Sequence, residues 1–140
     1  MGIKEKYAEQ QISLEKALAD FKKALNANMA KYDEIEQNWI KNAQVQKFEF
    51  CIELLWKTVK SYFETQNEFY LTPKQNIKAL FLHNIITEAL YIRLLTCIDD
   101  RNKLSHIYKL EVFDDIAGSI LNHYEAIFEC KNCIEKYNLN

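Results

Sequence analysis

The sequence predicts an all-α protein, an up-and-down four-helix bundle with one extra short helix. Three observations carry that expectation. Apolar residues return at three- and four-residue steps through most of the chain. Only two Gly and one Pro punctuate its 140 residues, too few for the turns of an all-β fold. Finally, 49% of the residues are apolar, enough to build a core without disulfides or metal. A chain of this length suits one domain, taken as residues 1–140, which buries roughly two thirds of the surface exposed on unfolding.

The first helix is expected over residues 4–29, where Tyr7, Gln11, Leu14, Leu18, Phe21, Leu25 and Met29 share one stripe. The second runs from about Tyr32 to Gln66, with Phe48, Cys51, Ile52, Leu55, Val59, Tyr62 and Phe63 on its main stripe. Phe50, Leu54 and Trp56 lie off that stripe, so this helix is either central in its bundle or shared with a second subunit. Asn67 to Leu71 lose the pattern. Thr72-Pro73-Lys74-Gln75 then reads as a helix start, with Thr as N-cap, Pro at the first helical position and Gln at the third. That short helix reaches about Leu82. A fourth carries Ala89, Leu90, Ile92, Leu94, Leu95 and Ile98, and a last one, about Val112 to Tyr137, carries Phe113, Ile116, Ile120, Tyr124, Ile127 and Phe128.

Bulk properties narrow the function classes. The formal charge is −2 with acids and bases interspersed, which leaves no global footprint for DNA or an anionic membrane. No apolar run approaches the roughly 20 residues that span a bilayer. Cys51, Cys97, Cys130 and Cys133 are scattered, and no signal-peptide pattern precedes them, so a reducing, cytoplasmic setting is expected. Cys130-Lys131-Asn132-Cys133 is a C-x-x-C without a second pair or a β-α context, which reads as ordinary helix cysteines rather than a metal or redox site. No metal and no cofactor are expected.

The chemically dense segment is Asp99-Asp100-Arg101-Asn102-Lys103-Leu104-Ser105-His106-Ile107-Tyr108. An Arg presents a planar fork of donors to a phosphate and a His titrates near neutrality, so Arg101 and His106 suit cleavage of an RNA phosphodiester through its own 2′-hydroxyl. The same residues also suit a helix C-terminus with a cationic dipole partner and a surface imidazole. Spacing does not choose between these readings. On a continuous helix Asn102 and His106 share a face, whereas Arg101 and His106 diverge by about 140°. Those two can meet only if the helix breaks between them or a twofold partner supplies the second copy.

Residues 101–108 resemble the R-N-x-x-x-H-x-Y signature of HEPN proteins encoded beside minimal nucleotidyltransferases. Lys47 to Glu64 is similar to that family's second-helix block, F-E-F-x-x-E-L-x-W-K-x-x-K-x-Y-x-E, and Thr72-Pro73 to Ile86 resembles its third-helix entry. The resemblance implies a homodimeric helical bundle whose two signature segments meet at a cleft. It implies a metal-independent ribonuclease toxin with Arg101, His106 and Asn102 as catalytic residues, acting on an RNA such as tRNA or mRNA. It further implies a nucleotidyltransferase antitoxin that adenylylates Tyr108, placing bulk and charge where the RNA phosphate must sit. The same family is also described as the non-catalytic substrate-binding subunit of a two-component nucleotidyltransferase, and that alternative stays open. This chain has no G-S followed by D-x-D, so ATP chemistry would come from the partner.

The remaining signals have plain readings. His83 and His123 are isolated and read as structural or exposed. Trp56 reads as core or subunit interface before base-stacking platform. Glu49, Glu53 and Lys57 read as helix-supporting neighbours, with a cleft-lining role implied only by the resemblance. Lys22, Lys23, Lys57, Lys60, Lys103 and Lys109 read as a solvated surface able to contribute a cationic rim for RNA.

Overall fold

A computed structural model of the chain describes residues 2–106 and 110–138, and of His106 only its place as the last residue of a helix. Six α-helices and one 3-10 turn make up the described residues, with no strand among them. They are α1 (Ile3–Leu25), α2 (Glu34–Thr65), α3 (Pro73–Leu82), α4 (Glu88–His106), α5 (Leu110–Gly118) and α6 (Ile120–Asn138).

α1 stops a turn earlier than its apolar stripe predicts, at Asn26, because the Asn28 side chain competes for the backbone just beyond it. The Asn28 side chain accepts from the Ala30 amide at 3.2 Å, and Met29–Lys31 coil into the 3-10 turn instead. Asp33 then opens α2 through a reciprocal capping box, accepting from the Glu36 amide at 2.8 Å while Glu36 accepts from the Asp33 amide at 3.2 Å. α3 opens as its sequence predicts: Thr72 accepts from the Gln75 amide at 3.1 Å, Gln75 accepts from the Thr72 amide at 3.2 Å, and Pro73 is the first helical residue.

With so few glycines, asparagine closes two helices. Among the described residues Asn67 (φ 64°) and Asn84 (φ 59°) have positive φ, one after the C-cap of α2 and the other after that of α3. At each, two crossed amide bonds complete a Schellman turn: Glu68 to the Phe63 carbonyl and Asn67 to that of Glu64, then Ile85 to Leu80 and Asn84 to Phe81. Asn tolerates the left-handed region at less cost than other residues with a Cβ.

The last helix differs from the sequence expectation of a single element. It is two helices, α5 and α6, interrupted at Gly118-Ser119, a Gly/Ser pair of the kind that kinks helices. The Ser119 amide takes a tight bond to Ile116, and the α-helical ladder resumes when His123 donates to the Ser119 carbonyl.

One continuous apolar cluster unites the elements. Leu14, Leu18 and Phe21 of α1 meet Phe48, Ile52, Leu55 and Phe63 of α2, with Leu90 and Leu94 of α4 and Ile127 of α6. α1 packs along α2, and α2 and α4 both contact α6. The first buried residue of α2 is Gln44, so its opening turns run past the core and leave Ile35 and Trp39 exposed. No described helix is long and apolar enough to cross a membrane.

Replacing Asn84 with Val puts a β-branched residue in the left-handed region and is expected to cost about 1–2 kcal/mol, whereas Asn84→Gly is near neutral. Urea unfolding of the two variants measures the difference, and equal midpoints would contradict the Schellman assignment.

Candidate functional site

α4 carries the chemically dense segment as far as His106, and its neighbours grip it on two sides. Asp100 faces α6. There the His123 imidazole, with 6% of its side chain exposed, sets Nε2 2.6 Å from Asp100 Oδ2. An ionised Asp100 can only accept, which assigns the proton to Nε2. His123 Nδ1 lies 3.4 Å from Cys97 Sγ, and the ring stacks on Phe48 with centroids 4.8 Å apart. Cys97, His123 and Asp100 thus follow one another like a nucleophile, base and acid, but Cys97 has no exposed surface and burial pushes its thiol up to about 12. A protonated, inaccessible thiol is no nucleophile; the trio is a structural clasp.

One residue on, Arg101 faces α2. Its Nη2 lies 3.4 Å from Glu53 Oε2, and its Nη1 donates to Ser105 Oγ at 3.2 Å. Glu53 also accepts from the Trp56 indole at 3.1 Å and pairs with Lys57 Nζ at 3.5 Å. The Glu53–Lys57 pair, four residues apart, is the helix-supporting contact expected of these residues. Arg101 Nε is buried without an acceptor among the described residues, a cost that Glu53 and Ser105 do not remove. Nearby, burial pushes the Glu49 carboxyl up, and the positive charge of Arg101 partly offsets that.

A cavity of about 240 Å³ opens beside this ion pair, bounded by Ile52, Glu53 and Trp56 of α2, Pro73 of α3, and Ile98, Arg101 and Asn102 of α4. Arg101 and Asn102 therefore share one wall. α4 continues without a break from Arg101 to His106, which removes one of the two ways in which those residues could converge. The His106 side chain, Tyr108 and Lys109 lie outside the described residues.

Other expected features fall elsewhere. His83 is on the surface, 3.0 Å from Glu68 Oε1. Cys51, Cys97 and Cys130 are buried free thiols and Cys133 is half-buried. Among the described residues no group of three His, Cys, Asp or Glu could hold a metal ion. The Asp100–His123 pair was hidden in the sequence, since nothing local links positions so far apart; the only signal was an isolated His on the apolar face of the last helix.

The model of a family described as "nucleotidyltransferase substrate binding protein like" matches residues 9–136. Two solved structures share the fold. One, ttk003001694 from Thermus thermophilus, is 22% identical with a TM-score of 0.70 and covers 84% of this chain and 94% of its own. The other is a tri-AMPylated Shewanella oneidensis HEPN toxin in complex with MNT antitoxin. It is 14% identical with a TM-score of 0.72, covering 93% of this chain and 96% of its own. No curated protein is significantly similar.

Truncating His123 to Ala removes the closer of Asp100's two charged partners and leaves Lys103 at 3.8 Å, and is expected to cost about 1–3 kcal/mol, whereas breaking the surface pair with His83→Ala should cost less than about 1 kcal/mol. Urea denaturation of both variants checks the contrast. A thiol reagent applied to the native protein is expected to modify Cys133 first and the other three cysteines only on unfolding, as mass spectrometry would show.

Proposed function

The chain belongs to the nucleotidyltransferase substrate binding protein-like family, and on that premise we propose that it is a HEPN ribonuclease toxin silenced by a partner nucleotidyltransferase. The observation that carries the reading is the placement of the Arg101 guanidinium and Asn102 along one wall of a cleft, with His106 ending the same helix. The AMPylated state of the HEPN toxin that shares this fold, and its MNT antitoxin, support the choice of partner and modification.

In this reading the chain acts as one HEPN-like domain, with α1, α2, α4 and α6 as its up-and-down bundle, and two copies pair. Pairing solves a geometric problem. Arg101 and His106 diverge by about 140° on an unbroken helix, so a twofold contact brings the imidazole of one copy to the guanidinium of the other. His106 takes the proton of the RNA 2′-hydroxyl, whose oxygen bonds to phosphorus as the bond to the 5′-oxygen breaks. A protonated His106, or its twofold mate, returns a proton to that leaving oxygen. Arg101 stabilises the charge growing on the phosphoryl oxygens, and Asn102 offers a further amide donor. No step needs a metal. AMP on Tyr108, two residues from His106, adds bulk and negative charge where the phosphate must sit and stops the reaction without unfolding the bundle.

The family description favours a second reading, a non-catalytic subunit that docks a nucleotidyltransferase and presents its substrate. Incubation with the neighbouring nucleotidyltransferase and labelled ATP separates the two. Label on Tyr108, lost in Tyr108→Phe, is expected for the toxin, and label on another molecule for the subunit.

Expressed without its partner, the wild-type chain is expected to arrest growth and cleave RNA, with Arg101→Ala and His106→Ala each lowering cleavage by roughly 10²-fold or more. Asn102→Ala should lower it less. Equal growth of wild type and the Arg101 and His106 variants would overturn the nuclease.

A further inference from the structure

The cavity beside Arg101 has a construction that phosphate binding does not require. Its apolar lining is Ile52 and Ile98, both buried, together with Trp56 and Pro73. Its polar lining is Glu53, Arg101 and Asn102. A phosphate contact alone would call for donors. It would leave no reason to set two rings and two isoleucines beside the guanidinium.

The volume limits what enters. At about 240 Å³ the space falls below the roughly 300 Å³ of a site for a drug-sized ligand. A single flat ring system fits that description better than a whole nucleotide. The indole is also held in place, because Trp56 Nε1 donates to Glu53 Oε2 at 3.1 Å and the same oxygen lies 3.4 Å from Arg101 Nη2. Glu53 thereby ties the aromatic wall to the cation. A ring stacked on Trp56 would lie next to the phosphate that Arg101 grips.

One donor at the cavity remains uncommitted: Arg101 Nε is buried without an acceptor among the described residues. Re-aiming the guanidinium onto a phosphate would relieve it. Asn102 lines the same cavity and is exposed. The Asn102 amide offers both a donor and an acceptor to the edge of a base.

We propose that the Trp56–Pro73 slot is a nucleobase subsite, which stacks one unpaired base of single-stranded RNA directly beside the phosphate held by Arg101. The proposal rests on the nuclease reading for the identity of the polymer. The slot makes the protein a reader of unpaired segments, since a base within a duplex cannot enter it without unstacking. Stacking tolerates any base, so selectivity for a particular base comes from Asn102.

The chain has two tryptophans, Trp39 and Trp56, and the exposed Trp39 lies on the part of α2 that runs past the core. A Trp39→Phe protein therefore reports on Trp56 alone by intrinsic fluorescence. The titrants are a short 2′-O-methyl oligoribonucleotide, which cannot be cleaved, the same oligomer with every position abasic, and AMP. The intact oligomer is expected to quench Trp56, and the abasic one to leave the emission unchanged while binding roughly tenfold to a hundredfold more weakly. Equal affinity for both oligomers without quenching would overturn the subsite. So would quenching by AMP with the oligomer silent, which assigns the slot to a free mononucleotide. Emission that follows protein concentration and ignores RNA would place Trp56 in a subunit contact, and that too overturns it.

Cleavage of unmodified RNA by the wild type and by Trp56→Phe and Trp56→Leu variants separates this proposal from the nuclease reading. Retained activity in Phe with a loss in Leu, the helical signal and melting temperature being equal, supports the platform. Quenching by RNA with no cleavage by any protein keeps the subsite and removes the nuclease. Cleavage that needs Arg101 but is indifferent to Trp56→Leu keeps the nuclease and removes the subsite.

Discussion

Everything near the candidate site depends on α4 being held in one rotational setting; its buried apolar face sets that rotation, and two polar contacts on consecutive residues reinforce it beside the site. Asp100 reaches the buried His123 of α6, and Arg101 reaches Glu53 of α2. Successive residues on a helix point about 100° apart, so these pulls act in different directions. A rotation of α4 that relaxed one would break the other. The Asp100–His123 contact is short and mostly buried on the imidazole side, with Lys103 3.8 Å from the same carboxylate. The Arg101–Glu53 contact is longer and more exposed, so it guides the guanidinium and still leaves it free to exchange partners.

That asymmetry suits the proposed chemistry. A group meant to stabilise charge on a phosphate must be aimed in advance without being permanently consumed. Glu53 provides the aim, and by also receiving the Trp56 indole and Lys57 it spreads its negative charge over three donors. The orphaned Arg101 Nε leaves an unspent hydrogen bond at the same place. One donor beside the cavity is thus left unsatisfied, while the Cys97–His123 contact behind it is covered by Phe48 and the core.

Much of this was legible in the sequence. Helix positions followed from apolar spacing, and the Thr72–Gln75 capping box followed from four adjacent residues whose bonds close among themselves. The family resemblance carried by Lys47–Glu64 and Arg101–Tyr108 agrees with the family matched and the fold shared. Local pattern failed where two local preferences competed. The apolar face of the last helix continues through Gly118-Ser119, yet the backbone breaks there, because a periodic stripe records which side faces the core and not whether the hydrogen-bond ladder survives a Gly/Ser pair. The early end of α1 has the same origin in Asn28.

By itself, then, the sequence determined where the helical stripes lie, their order, the Thr72–Gln75 cap and which side chains could do chemistry, since those depend on interactions spanning only a few positions. The tertiary structure decided which of them meet. It alone put His123 against Asp100, Glu53 against Arg101, and Trp56, Pro73 and Ile98 around one cavity. Such encounters join residues distant along the chain, and they depend on how whole helices pack against a shared core, a quantity that no short window of residues contains.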